Sequence, residues 1–218
     1  MVDNSTMENT QPKEVKYVAH LLSYVLHPLF IPTYFFLFLM QVLPFEFVGI
    51  SEWQLKMRLF SVAWLTAFFP AFAVFLLWRL KFSESIFLRT QKDRIIPYVI
   101  VMFFYWWMYY LSRNFSDQPI VLKYFYFGIF IASAIGLIVN NFIKVSLHAM
   151  GMGGLLASVV LVGLKYPINN IIWDMVMILI TGMVVSARMM VSDHTKNELT
   201  IGLGIGIITQ TLAYFWVG

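Results

Sequence analysis

The chain has 218 residues, of which 60% are apolar and only 12% are charged, whereas soluble domains are about half apolar and about a quarter charged. This balance excludes an ordinary water-soluble domain. The lack of cysteine excludes disulfides, thiolate metal sites and a cysteine nucleophile. The net charge of +4 is spread over connecting segments, which excludes nucleic acid as a partner because that needs a concentrated basic face.

Seven apolar stretches come close to the roughly 20 residues that a helix needs to cross a bilayer. The sequence therefore predicts an all-α, polytopic transmembrane helix bundle with six or seven spans. We expect a polar N-terminal tail at 1–16 and a single transmembrane domain at 17–218. The predicted spans are 18–43, 59–78, 95–111, 124–143, 145–164, 171–187 and 199–217.

The first stretch contains Pro28 and Pro32, which remove backbone donors and predict a kink or a break. Six spans preceded by a re-entrant segment is the alternative. Glycines in the fifth and the last stretches predict close helix–helix packing. They are Gly151, Gly153, Gly154, Gly202, Gly204 and Gly206.

Alternate loops lie on the same side of the bilayer because each span crosses it once. If all seven stretches cross, the loops at 79–94, 143–148 and 188–198 share one face. These three loops contain most of the unusual polar residues of the chain. We therefore expect them to meet in one pocket.

The last of these loops contains a histidine and a carboxylate four residues apart, on one face of a helix. Glu198 can accept a hydrogen bond from one ring nitrogen of His194, which leaves the other nitrogen free to attack an electrophile. Arg188 offers a planar fork that suits two phosphate oxygens. A loop-end ion pair without chemistry is the alternative.

A second cluster lies at the mouth of the fifth stretch, where backbone donors of a helix N-terminus favour an anion. The hydroxyl of Ser146 can add a donor, and His148 can protonate a leaving oxygen. An interfacial histidine without a catalytic role is the alternative for His148. His20 and His27 have no carboxylate or histidine at ligand spacing, and we interpret both as structural.

A third cluster is the basic loop before the third span, with Arg89, Lys92 and Arg94. These side chains can neutralise a phosphate, or they can contact anionic headgroups at a membrane surface. The sequence leaves both interpretations open.

Together the clusters resemble the three signature motifs of the type 2 phosphatidic acid phosphatase superfamily, membrane lipid phosphatases that share a catalytic core with vanadium haloperoxidases. The third motif of that family reads Ser-Arg, five residues, His, three residues, Asp. Here Arg188, His194 and Glu198 reproduce this spacing. Ser146 and His148 are similar to the Ser-Gly-His second motif.

The resemblance covers about half of the chain, 89–206. It implies that His194 is a nucleophile that forms a phosphohistidine, that Glu198 orients it, and that His148 is the general acid. Arg188 and Ser146 would bind the phosphate. The family works without a metal, so the resemblance implies no cofactor.

The chain departs from the family in two motifs. In the third, Glu198 replaces Asp and an alanine separates Ser186 from Arg188. In the first, which reads Lys, six residues, Arg-Pro, alignment on Pro97 puts an arginine at the lysine but an isoleucine at the arginine. These two aligned residues are Arg89 and Ile96. Either Arg94 or Lys92 takes over the phosphate contact, or the contact is lost; we favour Arg94.

The resemblance implies hydrolysis of a phosphomonoester or pyrophosphate of a lipid. Candidate substrates are polyprenyl pyrophosphates, phosphatidic acid, phosphatidylglycerol phosphate and phosphorylated lipid A. A non-catalytic membrane protein that binds anionic lipid, and a phosphotransferase that passes the phosphoryl group from lipid to lipid, are the alternatives.

The side of the membrane is not decided by charge. Ten of the fifteen Lys and Arg lie on the face with the three loops, which would make that face cytoplasmic. Without the five that can serve a phosphate, however, the faces are equal. The resemblance favours a bacterial inner membrane with a periplasmic site.

Overall fold

The computed structural model describes residues 12–83, 90–192 and 194–217. These residues contain nine α-helices and no strand, so the all-α prediction is confirmed. The helices are α1 Lys13–Val25, α2 Ile31–Val42, α3 Glu52–Ala63, α4 Phe69–Arg79, α5 Gln91–Asn114, α6 Ile120–Asn140, α7 Leu147–Lys165, α8 Ile171–Val191 and α9 Lys196–Val217.

Within the described residues, seven helical segments are long and apolar enough to cross a membrane. The polytopic prediction is therefore confirmed, and the chain fits an integral membrane protein. α1 and α2 together form the first segment, α3 and α4 the second, and each later helix forms one. The first helix begins at Lys13, inside the predicted tail.

The break predicted in the first span is present. α1 ends at Val25, and a short 3-10 turn, Pro28–Phe30, precedes α2. Pro28 opens the turn and Pro32 lies in the first turn of α2, where a missing amide hydrogen leaves no helical bond unmade. The two prolines thus end one helix and start the next.

The second span contains a π-helical segment, Trp64–Phe68, directly before α4. The amide of Phe69 bonds the carbonyl of Trp64, five residues earlier, and Pro70 follows. Proline has no amide hydrogen to continue a regular helical ladder. The wider turn lets the chain pass Pro70 without ending the span.

The outer surface of the bundle is apolar. On α8, for example, Met175, Ile178 and Leu179 each expose about three-fifths or more of their surface. The interior includes aromatic side chains of α2 and α6, where Phe35 stacks on Phe125 with ring centroids 4.2 Å apart. Both features are expected where lipid, not water, surrounds the bundle.

α7 and α9 form the most extensive helix pair, and glycine allows them to approach. A Cβ on Gly206 would overlap the carbonyl oxygen of Met150, and one on Gly153 would overlap that of Leu203. A Cβ on Gly202 would lie 2.7 Å from the carbonyl oxygen of Ser146. The predicted glycine packing is thus present at these three positions.

Gly204 lies on the same helix as Gly202 and Gly206, but an added Cβ would meet nothing within 4 Å. We expect Gly206→Ala to lower the stability of the purified protein by roughly 1–3 kcal/mol, because the methyl group must push backbone apart. Gly204→Ala is the matched control and should be neutral or slightly stabilising, since alanine favours a helix. Thermal unfolding in detergent measures both, and equal melting temperatures would contradict the packing role of Gly206.

Candidate active site

One cavity of about 800 Å³ lies inside the bundle. Its lining includes charged and imidazole side chains from the ends of four segments, and these are Arg94, Lys144, His148, Arg188 and His194. The three loops that are far apart in the sequence therefore meet at one place. A polar cavity inside an apolar bundle is a candidate site for a ligand.

The cavity also extends along the helices. Arg94 and Tyr105 both line it, and they are separated by about three turns of α5, roughly 16 Å. Away from the charged end the lining is mainly apolar, with Val74 and Val101 among its residues. The shape suits a molecule with a charged head and a long apolar tail.

His194 is held by the carboxylate that follows it in sequence. Its Nδ1 lies 3.2 Å from Oε2 of Glu198, and the ring is only 4% exposed. A carboxylate accepts hydrogen bonds, so Nδ1 carries the proton and donates it. Nε2, on the far side of the ring, then holds the lone pair, and the residue lines the cavity.

The same carboxylate also starts α9. Oε2 of Glu198 accepts from the amide of Thr195 at 2.9 Å, while the amide of Glu198 donates to the Thr195 hydroxyl at 3.3 Å. This reciprocal pair is a capping box, a common device for starting a helix. The cap explains why Glu198 is fixed in position behind the histidine.

Burial lowers the pKa of His194 to about 4, and the nearby Arg94 guanidinium acts in the same direction. The hydrogen bond and charge of Glu198 oppose this effect without cancelling it. At neutral pH the imidazole is therefore uncharged. An uncharged imidazole with a free lone pair has the form that a nucleophile requires.

The residues of the basic loop differ in their position relative to the cavity. Arg94 is buried, lines the cavity and donates from Nη1 to the carbonyl oxygen of Val145 at 3.0 Å. Lys92 is exposed and is not part of the cavity lining. Arg89 lies outside the described residues. Of the two described candidates in this loop, Arg94 has the geometry of a ligand for an anion in the cavity.

Arg188 and Lys144 bring positive charge to the cavity from two further elements. Arg188 lies in the last turn of α8, and Lys144 lies in the short connection before α7. Both side chains are half-buried and line the cavity. Lys144, two positions before Ser146, is one of the five cations that the sequence offers to a phosphate, although it was not assigned a site role.

Ser146 and His148 have different surroundings. Ser146 is fully buried, its hydroxyl oxygen caps α7 by accepting from the amide of Ala149 at 3.4 Å, and it is not part of the cavity lining. His148 lines the cavity, and its Nε2 lies 2.9 Å from the carbonyl oxygen of Ser23. Because a carbonyl only accepts, Nε2 carries a proton, and Nδ1 is the nitrogen left for proton transfer.

The first span contributes residues that the sequence analysis did not assign to the site. His20, Ser23, Tyr24 and His27 all line the cavity, and the ring centroid of His27 is 5.1 Å from that of His148. The available signal was the proline after His27, because irregular backbone at membrane depth usually lines a cavity. His20 and His27 are thus not buried in the bundle away from the site.

Comparison with family models, curated proteins and solved structures found no match to this chain. The fold and the site therefore define only a class: a helical, membrane-type bundle with a cationic, histidine-lined cavity. In the ranges 12–83, 90–192 and 194–217, no three His, Asp or Glu side chains are grouped as ligands for a metal ion.

The low pKa of His194 predicts a pH-dependent stability. In the unfolded chain a histidine takes up a proton near pH 6.5, whereas the folded protein resists this until about pH 4. We therefore expect the melting temperature in detergent to fall as pH falls from 6.5 to 4, and to fall less in His194→Asn. Above pH 7 the two proteins should show parallel pH profiles. Parallel profiles below pH 6 as well would contradict the buried, neutral state of His194.

The buried cap predicts the effect of Ser146→Ala. We expect it to reduce stability by about 1 kcal/mol, because α7 loses its capping oxygen, and to change affinity for inorganic phosphate by no more than about threefold. Ser146→Thr keeps a hydroxyl and is the control. A large loss of phosphate affinity at unchanged melting temperature would instead favour the phosphate-binding role implied by the resemblance.

Proposed function

We propose that the chain is an integral membrane lipid phosphatase, similar in its motifs to the type 2 phosphatidic acid phosphatases. It would hydrolyse a phosphomonoester or a pyrophosphate of a lipid through a phosphohistidine intermediate. The observation that carries the proposal is the position of His194. Its Nδ1 is held by Glu198, and its ring lines a cavity that it shares with Arg94, Lys144 and Arg188.

Charge supports an anionic substrate. Three cationic side chains, Arg94, Lys144 and Arg188, line the cavity at its polar end. Guanidinium and ammonium groups donate charge-assisted hydrogen bonds to anionic oxygens. A phosphate has several oxygens and spread negative charge, so it can contact several of these groups together.

The tail of the substrate fits the apolar part of the cavity. A small water-soluble phosphate would not contact the apolar part of the lining, which continues for about three turns along α5. A lipid phosphate has both parts, because its chain can lie among the helices while its headgroup stays at the charged end. This distribution of polar and apolar lining favours lipid over water-soluble phosphates.

The proposed reaction has two displacements at phosphorus. Before the first, Nδ1 of His148, which has no proton in the neutral ring, takes up a proton from solvent as the anionic substrate binds. In the first, Nε2 of His194 bonds to phosphorus while the bond to the lipid oxygen breaks, and His148 gives the Nδ1 proton to that oxygen. In the second, a water bonds to phosphorus, its proton returns to His148, and the bond to His194 breaks. Arg94, Lys144 and Arg188 stabilise the charge that spreads over the phosphoryl oxygens.

The decisive experiment measures phosphate release by detergent-purified protein from a panel of lipid phosphates in the presence of EDTA. We expect His194→Ala and Arg188→Ala to reduce release by at least 100-fold, because the nucleophile or a charge on the transition state is lost. Release at the wild-type rate by His194→Ala would rule out the mechanism.

The basic loop provides a matched pair for the same assay. We expect Arg94→Ala to reduce release by at least 100-fold, whereas Lys92→Ala should leave it within about twofold, since only Arg94 lines the cavity. Arg94→Lys tests the need for the planar guanidinium, because lysine keeps the charge but not the fork. Equal effects of the two alanine variants would contradict this division of the loop.

The alternatives give distinct outcomes. A non-catalytic protein would bind lipid phosphates in every variant that keeps the cations, and it would release no phosphate. A phosphotransferase would move a labelled phosphoryl group to a second lipid instead of to water. Measuring free phosphate and labelled lipid in the same reaction separates all three functions.

A further inference from the structure

The break in the first span is tightly fixed against the helix that carries His148. A Cβ on Gly151, one turn after His148, would lie 2.6 Å from Cδ1 of Ile31 and 3.2 Å from Cβ of Pro28. On the other side of the break, the carbonyl oxygen of Ser23 accepts from Nε2 of His148. Contacts on both sides therefore fix the position of the residue between them, His27.

His27 also has a defined tautomer. The amide of Leu29 donates to Nδ1 of His27 at 3.4 Å, which caps the 3-10 turn. An amide nitrogen only donates, so Nδ1 must be unprotonated, and the neutral ring carries its proton on Nε2. The cap thus uses one nitrogen of the ring and leaves a donor on the other side.

His27 lies among the proposed phosphate ligands. His27 lines the cavity together with Arg188 and Lys144, and its ring meets that of His148 edge to face, at an interplanar angle of 85°. Capping the 3-10 turn uses only Nδ1 of His27, so the cap does not explain why this side chain lines the cavity. An N–H group beside two cations is suited to an anionic oxygen.

We propose, on the basis of the proposed function, that Nε2–H of His27 binds the phosphate of the substrate. The first span would then supply a ligand of the anion site from outside the three motifs of the sequence analysis. Its irregular turn serves this purpose, because a continuous helix would have no capped histidine at this point.

Two substitutions separate the two nitrogens of the ring. In His27→Asn the side-chain oxygen can replace Nδ1 as the cap, since asparagine is a preferred N-cap, but the side chain is too short to replace Nε2. In His27→Gln the longer side chain can place an N–H near the position of Nε2, but it is a poor cap. Tyr17→Asn, at an exposed position of α1 outside the cavity lining, is the control for placing an asparagine in this span.

The measurement is the affinity of the detergent-purified full-length protein for inorganic phosphate, by phosphorus NMR titration, together with the melting temperature. We expect His27→Asn to weaken phosphate binding by about tenfold or more with little change in melting temperature. His27→Gln should bind within about threefold of wild type and melt at a lower temperature. Tyr17→Asn should match wild type in phosphate affinity.

Unchanged binding in His27→Asn would overturn the inference and leave His27 as a cap. Equal loss of binding in both His27 variants would also overturn it, because the ring shape and not the donor would then matter.

Phosphate release by wild type separates this inference from the proposed function. If wild type releases no phosphate from any lipid, yet the binding data follow the expected order, the proposed function fails and His27 remains an anion ligand. If wild type binds no inorganic phosphate, the inference fails, while phosphate release from lipid still decides the proposed function.

Discussion

The close contact between α7 and α9 is the constraint on which the candidate site depends. His148 and His194 lie 46 positions apart in the sequence, on the first turn of one helix and just before the first turn of the other. Glycine at Gly202 lets the second helix approach the carbonyl of Ser146, and the amide of Ser146 donates to the carbonyl of Glu198 at 3.4 Å. The start of α7 and the start of α9 are therefore held together by backbone, and the imidazoles are positioned by the fold itself.

Much of the architecture could be predicted because a bilayer leaves few choices. Spans must be helical, apolar and about 20 residues long, so hydropathy alone located all seven, and Pro28 located the break. Because each span crosses the bilayer once, alternate loops could then be assigned to the same face. The helix ends were less accurate: α1 begins at Lys13 and α3 at Glu52, because charged residues at the ends of spans lower hydropathy without ending the helix.

The details of the site were harder to predict, because they depend on which way each side chain points. Spacing could suggest the pairing of His194 with Glu198, since residues four apart share a helix face. It could not show that the hydroxyl of Ser146 caps its own helix, or that Lys92 faces away from the cavity while Arg94 enters it. The contribution of His27 depends on a contact between the first and fifth spans, and a single sequence contains no record of such a contact.

The helices around the cavity differ in how tightly they are packed. On one side, glycines let the backbones of α7 and α9 come into contact, so these two helices cannot move closer together. On the other side, Pro28, Pro70 and Pro97 lie in the lining, where regular helical hydrogen bonding is interrupted. His148 and His194, the groups proposed to react, belong to the side formed by α7 and α9. We therefore expect the proline-containing spans to bend when apolar chains of different width bind, while the spacing between the two imidazoles stays constant. The protein could then accept lipids with different apolar chains while the geometry around the phosphate stays fixed.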